Sequence, residues 1–91
     1  MLQLDTLPGA ALVTRGLADL ATGAVTTESL LVSMAATRLA DLGLQVPPPL
    51  AQPEHRLWQL LADQDVDAAH GRYNALVGQL VSFQRALACV A

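Results

Sequence analysis

Ninety-one residues suffice for one compact domain and are too few for two. The chain is 53% hydrophobic and 14% charged, against about 25% charged in ordinary soluble domains, so a second copy is expected to cover surface that thirteen charges cannot. A net charge of −3 without a basic run argues against duplex nucleic acid, which binds through neutralised phosphates, and a lone cysteine, Cys89, rules out an internal disulfide or a cysteine cluster for zinc.

Every basic residue is arginine, and lysine and isoleucine are absent. Both are encoded by AT-rich codons, so the bias points to a GC-rich genome rather than to selection of the guanidinium fork. The stretch MLQLDTLPGAALV has no basic n-region and carries Asp5 and Pro8, which makes it a poor signal peptide. Residues 73–84 form the longest uncharged apolar run near the C-terminus, yet they include Asn74, Gln79 and Gln84. That run is too short and too polar to span a bilayer. The expected location is the cytoplasm, without membrane contact.

Alanine and leucine dominate, and neither strand-like alternation nor a hairpin dipeptide is found. The expected fold is therefore all-α: a small bundle of four helices with a long C-terminal helix, assembled as a dimer. The first helix is expected over about 7–22. Asp5 or Thr6 caps it, Pro8 sits in its first turn and Gly23 supplies a left-handed stop. Val13, Leu17 and Leu20 share one face, with Arg15 and Asp19 paired at i,i+4 on the other. A second helix is expected over 27–42, capped by Thr26 or Thr27, favoured by Glu28 at its positive end and stopped by Gly43.

VPPPLAQP, residues 46–53, forbids helix and reads as an extended, semi-rigid connector. No arginine flanks the prolines, which weakens a proline-recognition reading. The third helix, about 53–63, opens on Pro53 and carries Leu57, Trp58, Leu60 and Leu61. DQDVD then matches the first positions of a calcium loop, but Ala68 stands where that loop needs glycine and Asn74 where it needs glutamate. Capping of a helix start explains these aspartates better.

The fourth helix is expected over 66–90. Ala69, Tyr73, Leu76, Leu80, Phe83, Leu87 and Val90 follow an alternating spacing of four and three, an unbroken seam of mostly large apolar side chains. Half a revolution away a second seam of small residues runs through Gly71, Ala75, Gly78, Ser82, Arg85 and Cys89. Each helix-interior glycine costs about 1 kcal/mol relative to alanine, a cost that close approach of another backbone would offset. Gly71, Ala75, Gly78, Ser82 and Cys89 are accordingly the expected dimer interface. Ser29, Ser33, Ala36 and Ala40 repeat the small spacing on the second helix, and the two seams together predict tight helix-to-helix contacts, some of them between subunits.

The polar side chains are few. Arg38 falls within the apolar face of the second helix, between Leu31, Met34 and Leu42. A half-buried arginine needs a partner, and Asp63, Asp65, Asp67 or the Tyr73 hydroxyl are candidates. Asp67 precedes His70 by one turn and can orient its imidazole. Arg38, Asp67, His70, Tyr73 and Asn74 thus form the candidate ligand or polar network. As a functional site it would bind or turn over a small anion. As a structural one it fixes helix register, and that reading is preferred because no second general acid or base accompanies His70. Two histidines fifteen residues apart make no metal site, and nothing near Cys89 activates it as a nucleophile. No cofactor is expected. The chain reads as a non-enzymatic interaction, adaptor or regulatory protein acting through protein contacts as a homodimer. The alternative is a ligand-binding protein or enzyme using a pocket around Arg38 and His70. A DNA-associated regulator would need a basic patch that five dispersed arginines do not supply.

Overall fold

The computed structural model describes residues 4–90, with side chains from Asp5 onward; residues 1–3, where the stretch read for a leader begins, and residue 91 lie outside. Five α-helices and a leading 3₁₀ turn make up its regular structure, with no strand among the described residues.

Helix α1 spans Ala10–Ala21, starting three residues later than expected. Gly9 is the reason. Its left-handed backbone, φ 76°, forms the N-cap, and a Cβ there would lie 2.6 Å from the Gln79 carbonyl oxygen. No L side chain suits that backbone or that space. Ala10, Val13, Gly16 and Leu20 form the buried face, while Arg15 and Asp19 make the expected pair at 3.5 Å. The helix stops as expected at Gly23, φ 77°. The Ala24 N–H donates to the Asp19 carbonyl at 2.9 Å and the Gly23 N–H to the Leu20 carbonyl at 3.1 Å, bonds that close the helix end around the left-handed glycine.

Helix α2, Thr27–Met34, opens on a reciprocal cap between Thr26 and Ser29. The Thr26 hydroxyl also donates to Asp19 Oδ2 at 2.8 Å, tying the start of α2 to the end of α1. Between these ties the two helices come very close at Gly16, where a Cβ would run into the Glu28 carbonyl oxygen and the Val32 side chain. The two backbones therefore approach closely at this point.

The expected second helix is two helices. The chain breaks at Ala35, φ −105° and ψ 14°, and resumes as α3, Ala36–Asp41. Ser33 accounts for the break. Its buried hydroxyl donates to the Ser29 carbonyl at 2.8 Å and accepts the Leu50 N–H at 3.0 Å. Back-bonding of this kind loosens and bends the helical ladder. Ser29 and Ser33 are thus buried inside the chain, whereas Ala36 is half-buried and Ala40 exposed. Gly43, φ 101°, ends α3 as expected.

Residues 44–52 are non-helical, as the prolines dictate. Leu44, Val46 and Leu50 pack against the core, whereas Pro48 and Pro49 are exposed. Helix α4, Pro53–Gln64, places Leu57 and Leu61 in the core. Asp65 Oδ1 then accepts the Asp67 and Ala68 N–H groups at 3.1 and 3.3 Å, turning the chain into α5, Ala69–Val90. The large seam of α5 faces inward: Ala69, Leu80, Phe83 and Leu87 are buried and Tyr73 and Leu76 half-buried, with only Val90 exposed. These side chains close a core with Val13, Leu30, Leu31, Leu39, Leu57 and Leu61, each worth about 1.5–3 kcal/mol in apolar burial. No helix among the described residues is long and apolar enough to cross a membrane.

Candidate functional site

The break at Ala35 decides the fate of the expected polar network. A continuous helix would keep residues 36–42 in register with Leu31 and Met34. Because α3 is re-aimed, Leu39 enters the core and Arg38 turns outward, so Arg38 is exposed and not half-buried. Its guanidinium makes no ion pair or hydrogen bond with the described residues. Asp67 is exposed as well, and its backbone N–H serves the Asp65 turn.

His70, Tyr73 and Asn74 do come together, at the edge where α5 meets α4. Asn74 Nδ2 lies 3.2 Å from His70 Nε2, one helical turn away. The indole of Trp58 meets His70 edge-on at 6.3 Å and Tyr73 at 6.1 Å, a geometry that favours the positive ring edge against the facing π cloud. Trp58 is the residue that sequence reasoning left out of this group. Part of the signal was available: one residue after Leu57, it is turned about 100° from the Leu57/Leu61 line; the structure shows it 39% exposed. The resulting edge is aromatic and polar, with His70 itself exposed and no carboxylate of a described residue bonded to its ring. Among the described residues no group of histidine, cysteine and carboxylate side chains converges as a metal site would require, and no buried side-chain polar atom lacks a partner.

The opposite face of α5 is the other candidate. Gly71, Ala75, Gly78, Ser82 and Cys89 are all exposed, as are Asn74, Val81 and Arg85 between them. A Cβ added at Gly71 or Gly78 would meet nothing within 4 Å, so no other element among the described residues packs over either glycine. A solvent-facing helix surface ordinarily carries glutamate, lysine or arginine. Here Arg85 is the one charged residue between Asn74 and Cys89 on the outward side. The face is small, flat and nearly uncharged along the longest helix of the fold.

No protein-family model matches this sequence, and comparison with curated proteins and with solved structures gave no match either.

Proposed function

We propose that this chain is a non-enzymatic interaction protein that works as a homodimer, with the outward face of α5 paired against a second copy. The observation that carries the reading is the run from Gly71 to Cys89, an exposed helix face whose two glycines have open space above them. Glycine inside a helix costs about 1 kcal/mol, and no packing among the described residues offsets it.

The face is also complementary to itself. Laid antiparallel on a second copy about Gly78, it sets Gly71 opposite Arg85 and Ala75 opposite Val81, small against large in each case. Asn74 faces Ser82, an amide against a hydroxyl. Arg85 then reaches toward the exposed Asp65 and Asp67 that precede the other copy's helix. The helix dipoles run in opposite senses, which favours this pairing. A parallel arrangement would instead stack Arg85 upon Arg85. A two-fold axis through Gly78 makes each contact twice.

Light scattering coupled to size exclusion tests the reading. At tens of micromolar the expected mass is twice 9.6 kDa. Gly78→Leu is expected to force the two backbones apart and return the monomer, and Arg85→Glu to weaken association by opposing the aspartates. A wild-type mass of 9.6 kDa would overturn the dimer, and a dimer indifferent to both variants would move its interface off α5.

The alternative, a ligand pocket built around Arg38 and His70, gains nothing from their positions: both are exposed, on α3 and α5, and neither lines the groove between α1, α2 and α5 or the one at Gln45–Pro47.

A further inference from the structure

Helix α5 by itself offers a second copy little area. The face from Gly71 to Cys89 is about 27 Å long at 1.5 Å per residue and no wider than a helix, about 10–12 Å, which makes roughly 300 Å². A stable interface buries about 800 Å² on each partner. Surface beside α5 has to supply the rest.

The two flanks of that face differ. At 100° per residue, Asn74, Val81 and His70 lie roughly 40°, 60° and 80° to one side of Gly78, and Ala75, Gln79 and Arg72 roughly 60°, 100° and 120° to the other. The second flank turns toward α1, where Arg72 shares a solvent-open groove with Arg15 and Glu28. Charged side chains of this kind are depleted from interface cores. The first flank leads onto α4. Asn74 Nδ2 lies 3.2 Å from His70 Nε2, and the His70 ring meets the Trp58 indole at 6.3 Å, so the path from the glycine face to Trp58 is unbroken. Large apolar side chains left exposed among the described residues are Val25, Trp58, Val66, Val81 and Val90. Trp58 is the one aromatic among them, and Val81 lies on the flank that leads to it.

We infer that the surface meeting a second copy continues from α5 onto α4, with Trp58 as its aromatic anchor, an inference that rests on the pairing of α5 through Gly78. Antiparallel pairing about Gly78 sets residues 70–73 of one copy against residues 83–86 of the other. Trp58, which packs on His70 and Tyr73, then meets the second copy's Arg85, with its Val81 on the same flank. An indole accepts both the aliphatic stem of an arginine and its planar cation. Tryptophan and arginine are also the residues in which binding energy concentrates at interfaces.

Trp58 is the chain's only tryptophan, so intrinsic fluorescence reads this site without any substitution. As protein concentration rises through the dimer range, the emission is expected to move to shorter wavelength and acrylamide quenching to fall, in step with the mass from light scattering. Gly78→Leu is expected to keep the emission of the dilute wild type at every concentration. Trp58→Ala is expected to raise the dimer Kd at least about tenfold, with the circular dichroism of the dissociated chain unchanged. Val25→Ala, an exposed valine away from this flank, is expected to leave Kd unaltered. A dimer whose Trp58 emission and quenching do not respond to dilution, or one that Trp58→Ala leaves intact, would overturn this extension while the pairing of α5 stands. A chain that is monomeric throughout would overturn both.

Discussion

Gly16→Ala should destabilise the protein although alanine is the better helix former. In the helix interior the substitution gains about 1 kcal/mol of propensity. Against that gain stands the contact with α2. A Cβ at position 16 would run into the Glu28 carbonyl oxygen and the Val32 side chain, and would lie 2.9 Å from the Glu28 carbonyl carbon. Optimal carbon contacts fall at about 3.5–4.0 Å, so the helices must separate by roughly half an ångström or more. The obstacle on the α2 side is backbone, which cannot swing aside as a flexible side chain would. Overpacking of a close-packed core costs about 1–3 kcal/mol, and rigid backbone puts this site at the upper end. The expected net loss is about 2 kcal/mol, or a fall in Tm of roughly 8–16 °C for a domain of this size. Thermal melts followed by circular dichroism, at one protein concentration, measure it. Gly71→Ala and Gly78→Ala are the controls, at a protein concentration low enough to dissociate the proposed dimer, because within the chain their added methyls meet nothing described within 4 Å. Each should gain up to about 1 kcal/mol. Opposite signs for one chemical change at different sites is the expected pattern. A neutral or stabilising Gly16→Ala would refute the close approach of α1 and α2.

Ser33→Ala leaves the Leu50 N–H without its acceptor and should cost about 1–2 kcal/mol in urea denaturation; a loss under about 0.5 kcal/mol would mean that this bond does not anchor the connector. Arg38→Met, at an exposed site without an ion pair, should change stability by less than about 0.5 kcal/mol, whereas a loss near 3 kcal/mol would imply a buried partner after all. Pro48→Ala with Pro49→Ala should stay within about 1 kcal/mol by the same measurement, since both rings are exposed and only the unfolded chain gains freedom.

What could be read from the sequence was what local chemistry determines. Thr26 caps α2 and Gly23 and Gly43 end their helices because capping hydroxyls and left-handed glycines act within a few residues of themselves. The inward seam of α5 was equally legible, since its spacing fixes one face whatever packs on it. The break at Ala35 was not, because it depends on Ser33 meeting an N–H seventeen residues away. The exposure of Arg38 follows from that break and was misjudged with it. Close backbone approach was sought at Gly71 and Gly78, yet within the chain it occurs at Gly16 and Gly9. A glycine in a helical pattern does not announce which neighbour needs its missing side chain. Arg72 and Arg15 were read on separate helices, and only the tertiary arrangement brings them to one groove.

The pairing of α5 is tested most directly through Cys89, the only cysteine in the chain and an exposed one. A nitroxide label there needs no engineered site, and pulsed dipolar spectroscopy reads the distance between two copies. Cys89 stands eleven residues from Gly78. At 1.5 Å per residue, antiparallel helices centred on Gly78 hold their two Cys89 positions about 33 Å apart. A single distribution near that distance, lost in Gly78→Leu, is the expected result. No dipolar coupling between copies, or a distance near the 8–10 Å of helices packed in parallel register, would contradict it.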